Sequence, residues 1–92
     1  MNITINYLGQ FKQITGKDRQ EITCSDGTGL AELLAEIASG YDEKLSKCLF
    51  EDANKVRESL VILINGTVVP KESPPQLNDG DEITLLNPVG GG

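Results

Sequence analysis

Leu30-Ala31-Glu32-Leu33-Leu34-Ala35-Glu36-Ile37-Ala38-Ser39-Gly40-Tyr41 decides the fold of this 92-residue chain. Leu30, Leu33, Leu34, Ile37, Ala38 and Tyr41 fall at i, i+3, i+4, i+7, i+8 and i+11, which puts them on one stripe of a helix. Glu32 and Glu36 lie on the opposite face, early enough to favour the positive end of the helix dipole. Gly40 is the expected stop. Gly29 stands where a capping Thr or Ser would be expected, a change worth only a few tenths of a kcal/mol. An amphipathic helix of this kind needs one apolar surface to cover, and the flanking segments supply it.

On the N-terminal side, Ile3, Ile5 and Tyr7 alternate with Thr4 and Asn6, the period of a half-buried strand. A second strand is expected from Gln20 to Ser25, with Ile22 and Cys24 on one face. Gly9 and Gly16 bracket the connection between them, which carries Phe11 and Ile14, so the two strands read as a hairpin with a long loop. On the C-terminal side, a shorter helical stretch from Asp42 to Phe50 presents Leu45, Cys48 and Leu49. Residues 51–58 are polar and read as a loop. Leu60-Val61-Ile62-Leu63-Ile64 reads as a central strand buried on both faces. Asn65-Gly66 is a hairpin turn into Val68-Val69, and Pro70 and Pro74-Pro75 forbid regular pairing beyond it. Asn78-Asp79-Gly80-Asp81 turns the chain into a last strand, Glu82 to Leu86. The order is strand, strand, helix, strand, short strand, strand. It describes an α+β domain with a mixed sheet of four to five strands packed on one main helix, the wiring of a β-grasp fold.

Composition narrows the function. Ninety-two residues make one small domain without room for a deep catalytic cavity. Eight basic against fourteen acidic residues give a net charge of −6, so neither nucleic acid nor an anionic membrane surface is an expected partner. A protein with a basic surface fits better. No apolar run approaches the length of a membrane span, and the alternating N-terminus is not that of a signal peptide. Cys24 and Cys48 lack C-x-x-C spacing and read as buried, reduced thiols, which suggests a cytoplasmic location. Histidine is absent, removing the commonest general base and zinc ligand. Asp79, Asp81 and Glu82 lack calcium-loop spacing, so no metal is expected.

Two features remain. Gly90-Gly91-Gly92 gives a flexible tail over 88–92, after a domain over 1–87. Glycine has the least bulk and the widest backbone freedom, so a carboxylate on such a tail can enter a narrow slot. Five extended residues span about 17 Å at roughly 3.3–3.6 Å each. The second feature is a set of off-pattern apolar residues. Leu8 and Leu86 should point to the solvent face at strand ends, and Val68 follows the Asn-Gly turn. Together they suggest a small docking patch beside the tail, with acidic side chains around it.

Several segments in this order resemble the MoaD/ThiS family of ubiquitin-like sulfur carriers, over nearly the whole chain. They are Leu8-Gly9-Gln10-Phe11 with Ile14-Thr15-Gly16, the Leu33-Leu34 helix, Ile64-Asn65-Gly66, 77–82 (Leu-Asn-Asp-Gly-Asp-Glu) and 88–92 (Pro-Val-Gly-Gly-Gly). The resemblance implies that the chain is not an enzyme and binds no cofactor itself. A ubiquitin-activating-type adenylyltransferase would use ATP and magnesium to adenylate the Gly92 carboxylate. A sulfur nucleophile would displace AMP and leave a thiocarboxylate. Gly90 and Gly91 would thread into a sulfur-acceptor enzyme such as a molybdopterin synthase large subunit, with Leu8, Val68 and Leu86 docking the domain. The acceptor chemistry implied is molybdopterin, the thiamin thiazole, an amino acid or a tRNA base. A ubiquitin-like modifier joined through Gly92 to lysines of target proteins is the alternative. A β-grasp binding module with an unreactive tail is the third reading. The departures from the family pattern are Asn87 before Pro88-Val89 and Gly90 in place of a small non-glycine residue.

Overall fold

Leu30, Leu33, Leu34, Ile37 and Ala38 are all buried, so the stripe seen in the sequence is the packed face of helix α2, Leu30–Ser39. The computed structural model describes residues 1–52 and 55–88. Gly29 caps α2 without a side-chain hydrogen bond, which leaves the helix dependent on its apolar face. Burial of each Leu or Ile there contributes about 1.5–3 kcal/mol.

The surface that α2 covers is a five-stranded sheet in the order β2-β1-β7-β5-β6. Its strands are β1 (Asn2–Tyr7), β2 (Arg19–Thr23), β5 (Val61–Ile64), β6 (Thr67–Val68) and β7 (Glu82–Leu86). β1 and β2 pair antiparallel as a hairpin, and β7 lies parallel to β1 and antiparallel to β5. Ile3, Ile5, Tyr7, Ile62, Ile64, Ile83 and Leu85 point to one side and are buried under α2. Asn65 and Gly66 both adopt positive φ, 51° and 83°, the geometry that a two-residue turn needs to match strand twist.

Four details differ from the sequence expectations. The connection after β1 folds as a short helix, α1 (Gln10–Thr15), stopped by Gly16 in the left-handed region. It buries Phe11, but six residues hold too few periodic positions to announce a helix. Residues 51–58 are not simply loop. After α3 (Glu43–Leu49, capped by Asp42), β3 (Phe50–Asp52) pairs antiparallel with β4 (Lys55–Val56). β5 is neither central nor buried on both faces. β7 occupies the centre, and Val61 and Leu63 are only half-buried. Finally, β2 ends at Thr23, so Cys24 lies just past it. Both cysteines are free and half-buried, not fully enclosed.

Tyr7 joins the two layers. Its hydroxyl donates to Gln20 Oε1 at 2.8 Å, and Tyr41 donates to the same oxygen at 3.2 Å. Burial, followed by the neighbouring Tyr41, pushes the Tyr7 phenol up to about 12. A proton held more tightly in the folded state stabilises the fold fully below the ordinary tyrosine pKa. That stability is lost as pH rises from about 10 through about 12. The expected loss is about 2–3 kcal/mol. Denaturant melts across this range should show it, and Tyr7→Phe should flatten that part of the profile.

Candidate functional site

The face of the sheet turned away from α2 is built by register. Tyr7 aligns with Leu85, and the Leu8 amide donates to the Leu85 carbonyl at 3.3 Å. The next step along β1 and β7 therefore sets Leu8 beside Leu86. Leu86 faces Val61 of β5. One step back, Leu63 lies between Thr84 of β7 and Val68 of β6. Residues directly opposite one another share a face, so Leu8, Leu86, Val61, Leu63 and Val68 form one apolar surface across four strands. Leu8 is 43% and Val68 64% exposed, and Leu86, Val61 and Leu63 are half-buried.

Polar groups bound this surface on one side. Asn6 Nδ2 donates to Thr84 Oγ1 at 3.3 Å. Beyond it, Arg19 and Glu82 form an exposed ion pair at 3.3 Å. This margin carries both signs of charge, Arg19 beside the acidic Glu82.

Three of the expected docking residues are thus brought to one face, and two further members, Val61 and Leu63, were missed. The continuous apolar run 60–64 concealed them, because a run without alternation does not say which side chains face out. Their signal is the pairing register with Thr84 and Leu86, which the sequence alone does not give.

β7 delivers the chain from Leu86 through Asn87 to Pro88 at the margin of this surface. Gly90, Gly91 and Gly92 lie outside the described residues. Cys48 Sγ accepts a hydrogen bond from Gln10 Nε2 at 2.9 Å, on the helix side of the sheet. Among the described residues, no group of three or more His, Cys, Asp or Glu side chains is placed to hold a metal ion. No helix among them is long and apolar enough to cross a membrane. The arrangement offers recognition through an apolar face beside the outgoing chain.

The model of the ThiS family matches residues 5–92. A molybdopterin synthase sulfur carrier subunit from Chlamydomonas reinhardtii is 25% identical over 92 residues, covering 100% of both chains. The small archaeal modifier protein 1 from Methanosarcina acetivorans superimposes with a TM-score of 0.81 at 23% identity, over 99% of this chain and 96% of that one. A chain in the complex of subunits 1 and 2 of the molybdopterin-converting factor from Helicobacter pylori 26695 is 27% identical. It matches with a TM-score of 0.58 over 100% of both chains.

Proposed function

This chain belongs to the ThiS family, and from that membership we propose that it is a sulfur carrier whose Gly92 carboxylate holds the sulfur in transit. The observation that carries the reading is the extent of the family match, from β1 through the last glycine. In the reaction, a carboxylate oxygen of Gly92 attacks the α-phosphorus of ATP on a partner adenylyltransferase that uses magnesium. Pyrophosphate leaves, and an acyl adenylate remains. A hydrosulfide ion then attacks the acyl carbon, AMP departs with the bonding electrons, and loss of the S–H proton leaves a thiocarboxylate. A second partner takes up the tail and uses that sulfur. The full-length match to a subunit named for molybdopterin synthase favours a molybdopterin synthase large subunit in that position.

The domain's part is binding. Leu8, Val61, Leu63, Val68 and Leu86 give the partner an apolar face, while Gly90 and Gly91 enter the partner's slot without side chains to obstruct it. A few side chains packed at the centre of an interface carry most of its energy. The test is adenylation and thiocarboxylation by the partner enzymes with chains carrying Leu63→Asp. A charge at the middle of the face should lower activation at least about ten-fold, the scale of a disrupted interface anchor. The melting temperature should fall modestly, since Leu63 is half-buried between Thr84 and Val68 and Asp is a poor strand former, and activation is compared on the folded chains. Activation at the parental rate would remove the sheet face from the mechanism. Joining of Gly92 to lysines of other proteins starts from the same acyl adenylate. It would appear in the same assay as adducts that persist under reducing denaturation.

A further inference from the structure

On the helix side of the sheet, opposite the apolar face, α2 and α3 leave a groove of about 510 Å³ between them. Ala35, Ala38 and Ser39 line it from α2 at i, i+3 and i+4. Glu43, Ser46, Lys47 and Phe50 line it from α3 and its C-cap at i, i+3, i+4 and i+7. The groove therefore follows one face of each helix. Alanine and serine keep its walls low enough for a partner's backbone to come close. Tyr41 and Phe50, both half-buried, add apolar surface.

Charge selects the occupant. Asp42 and Glu43 stand at the start of α3, and Glu51 and Asp52 stand just past its end. All four line the groove, and among the described residues Lys47 is the one cation that does so. Glu43 pairs with Lys47 at 3.5 Å, and Glu51 with Lys55 at 3.6 Å. Both pairs are exposed, so water screens them and they hold weakly. An arginine brought against apolar surface competes with such lysines, because its planar guanidinium forms forked bonds to carboxylates and stacks on aromatic rings. An anionic segment is repelled by the same four carboxylates.

Length selects the occupant's shape. The seven residues of α3 rise about 10 Å at roughly 1.5 Å each, and that rise separates the two acidic ends. On a second helix, positions i and i+7 lie the same distance apart on one face, with i+3 and i+4 between them.

We propose that the groove between α2 and α3 is a second docking site, which takes a basic amphipathic helix of a partner protein. Arginine at i meets Asp42 and Glu43, arginine at i+7 meets Glu51 and Asp52, and apolar side chains at i+3 and i+4 cover Ala35, Tyr41 and Phe50. A partner bound here leaves the apolar sheet face and the tail accessible. One protein can then hold the chain while another acts on Gly92.

The experiment titrates the full chain, at moderate salt, with synthetic peptides of about 16 residues, long enough to form a helix. The first carries Arg at i and i+7 and Leu at i+3 and i+4. The second replaces both Arg with Glu, and the third moves the distal Arg to i+5, off the shared face. Amide resonances of Ala35, Ser39, Glu43, Ser46 and Phe50 should shift with the first peptide and stay in place with the second. The third should bind at least about five-fold more weakly, from one lost charge-assisted contact. Ala35→Arg fills the groove with the chain's own cation, at an exposed position where arginine is a good helix former. It should weaken the first peptide at least about ten-fold. Glu43→Gln combined with Glu51→Gln removes a carboxylate from each end without adding bulk, and should weaken binding and flatten its salt dependence. Gly92 activation should match the parent in both variants. Peptide binding needs no activating enzyme, so failure of the carrier reading leaves this test intact. Absence of groove shifts with the first peptide would overturn the proposal. So would equal binding of the Glu-bearing peptide, parental affinity in a folded Ala35→Arg chain or in the double variant, or shifts spread over Glu21 and Glu82 on the sheet.

Discussion

A chain lacking Gly92 is expected to fold and melt like the parent and yet to be activated at least about 100-fold more slowly. The hydrophobic core runs from Ile3 to Leu85, so removing the last residue takes nothing from it. The chemistry, in contrast, depends on reach. Deletion moves the terminal carboxylate back by roughly 3.3–3.6 Å, and a misplacement of about 1 Å already costs on the order of 100-fold in an aligned reaction. Pyrophosphate release by the activating enzyme measures the effect directly. Parental rates from the shortened chain would show that Gly92 is not the reacting residue.

The largest effect on stability from a single polar side chain is expected at Asp81. It is 8% exposed and is the one buried charged residue among the described residues. Its Oδ1 accepts from Asn65 Nδ2 at 2.9 Å, and its Oδ2 accepts from the Asn78 amide at 2.8 Å. Asn65 Oδ1 in turn accepts from the Glu82 amide at 3.0 Å. One carboxylate thus ties the turn after β5 to the turn that opens β7, the strand that leads to the tail. Asp81→Ala leaves two donors without their acceptor and should cost about 2–3 kcal/mol. In a domain of this size that is a fall in melting temperature of roughly 10–20 °C. Asp81→Asn keeps one acceptor oxygen and should lose less. An unchanged melting temperature in Asp81→Ala would show that the turns hold without the carboxylate.

α2 was legible because its apolar positions repeat over three turns, and β1 because Ile3, Ile5 and Tyr7 alternate with polar neighbours. The Asn65-Gly66 turn was legible because few residue pairs accept positive φ together. β5 resisted for the opposite reason. Five apolar residues in a row carry no phase, so Val61 and Leu63 seemed as buried as Ile62. Their exposure is decided by β7, some twenty residues later, through Thr84 and Leu86. α1 and the β3–β4 ribbon are too short for periodicity to register, and they form because α3 and the sheet hold them. The Gly90-Gly91-Gly92 run was legible as a candidate tail, since access to a carboxylate depends on glycine's lack of a side chain and needs no tertiary contact.

Whether sulfur travels on Gly92 is decided by the intact mass of the chain from its own cells, prepared mildly and without reductant. A carrier should show a population heavier by the difference between one sulfur and one oxygen, with fragmentation placing the change on Gly92. A chain that carries only the ordinary carboxylate, even when its activating enzyme, ATP and a sulfur donor are supplied, would contradict the carrier reading.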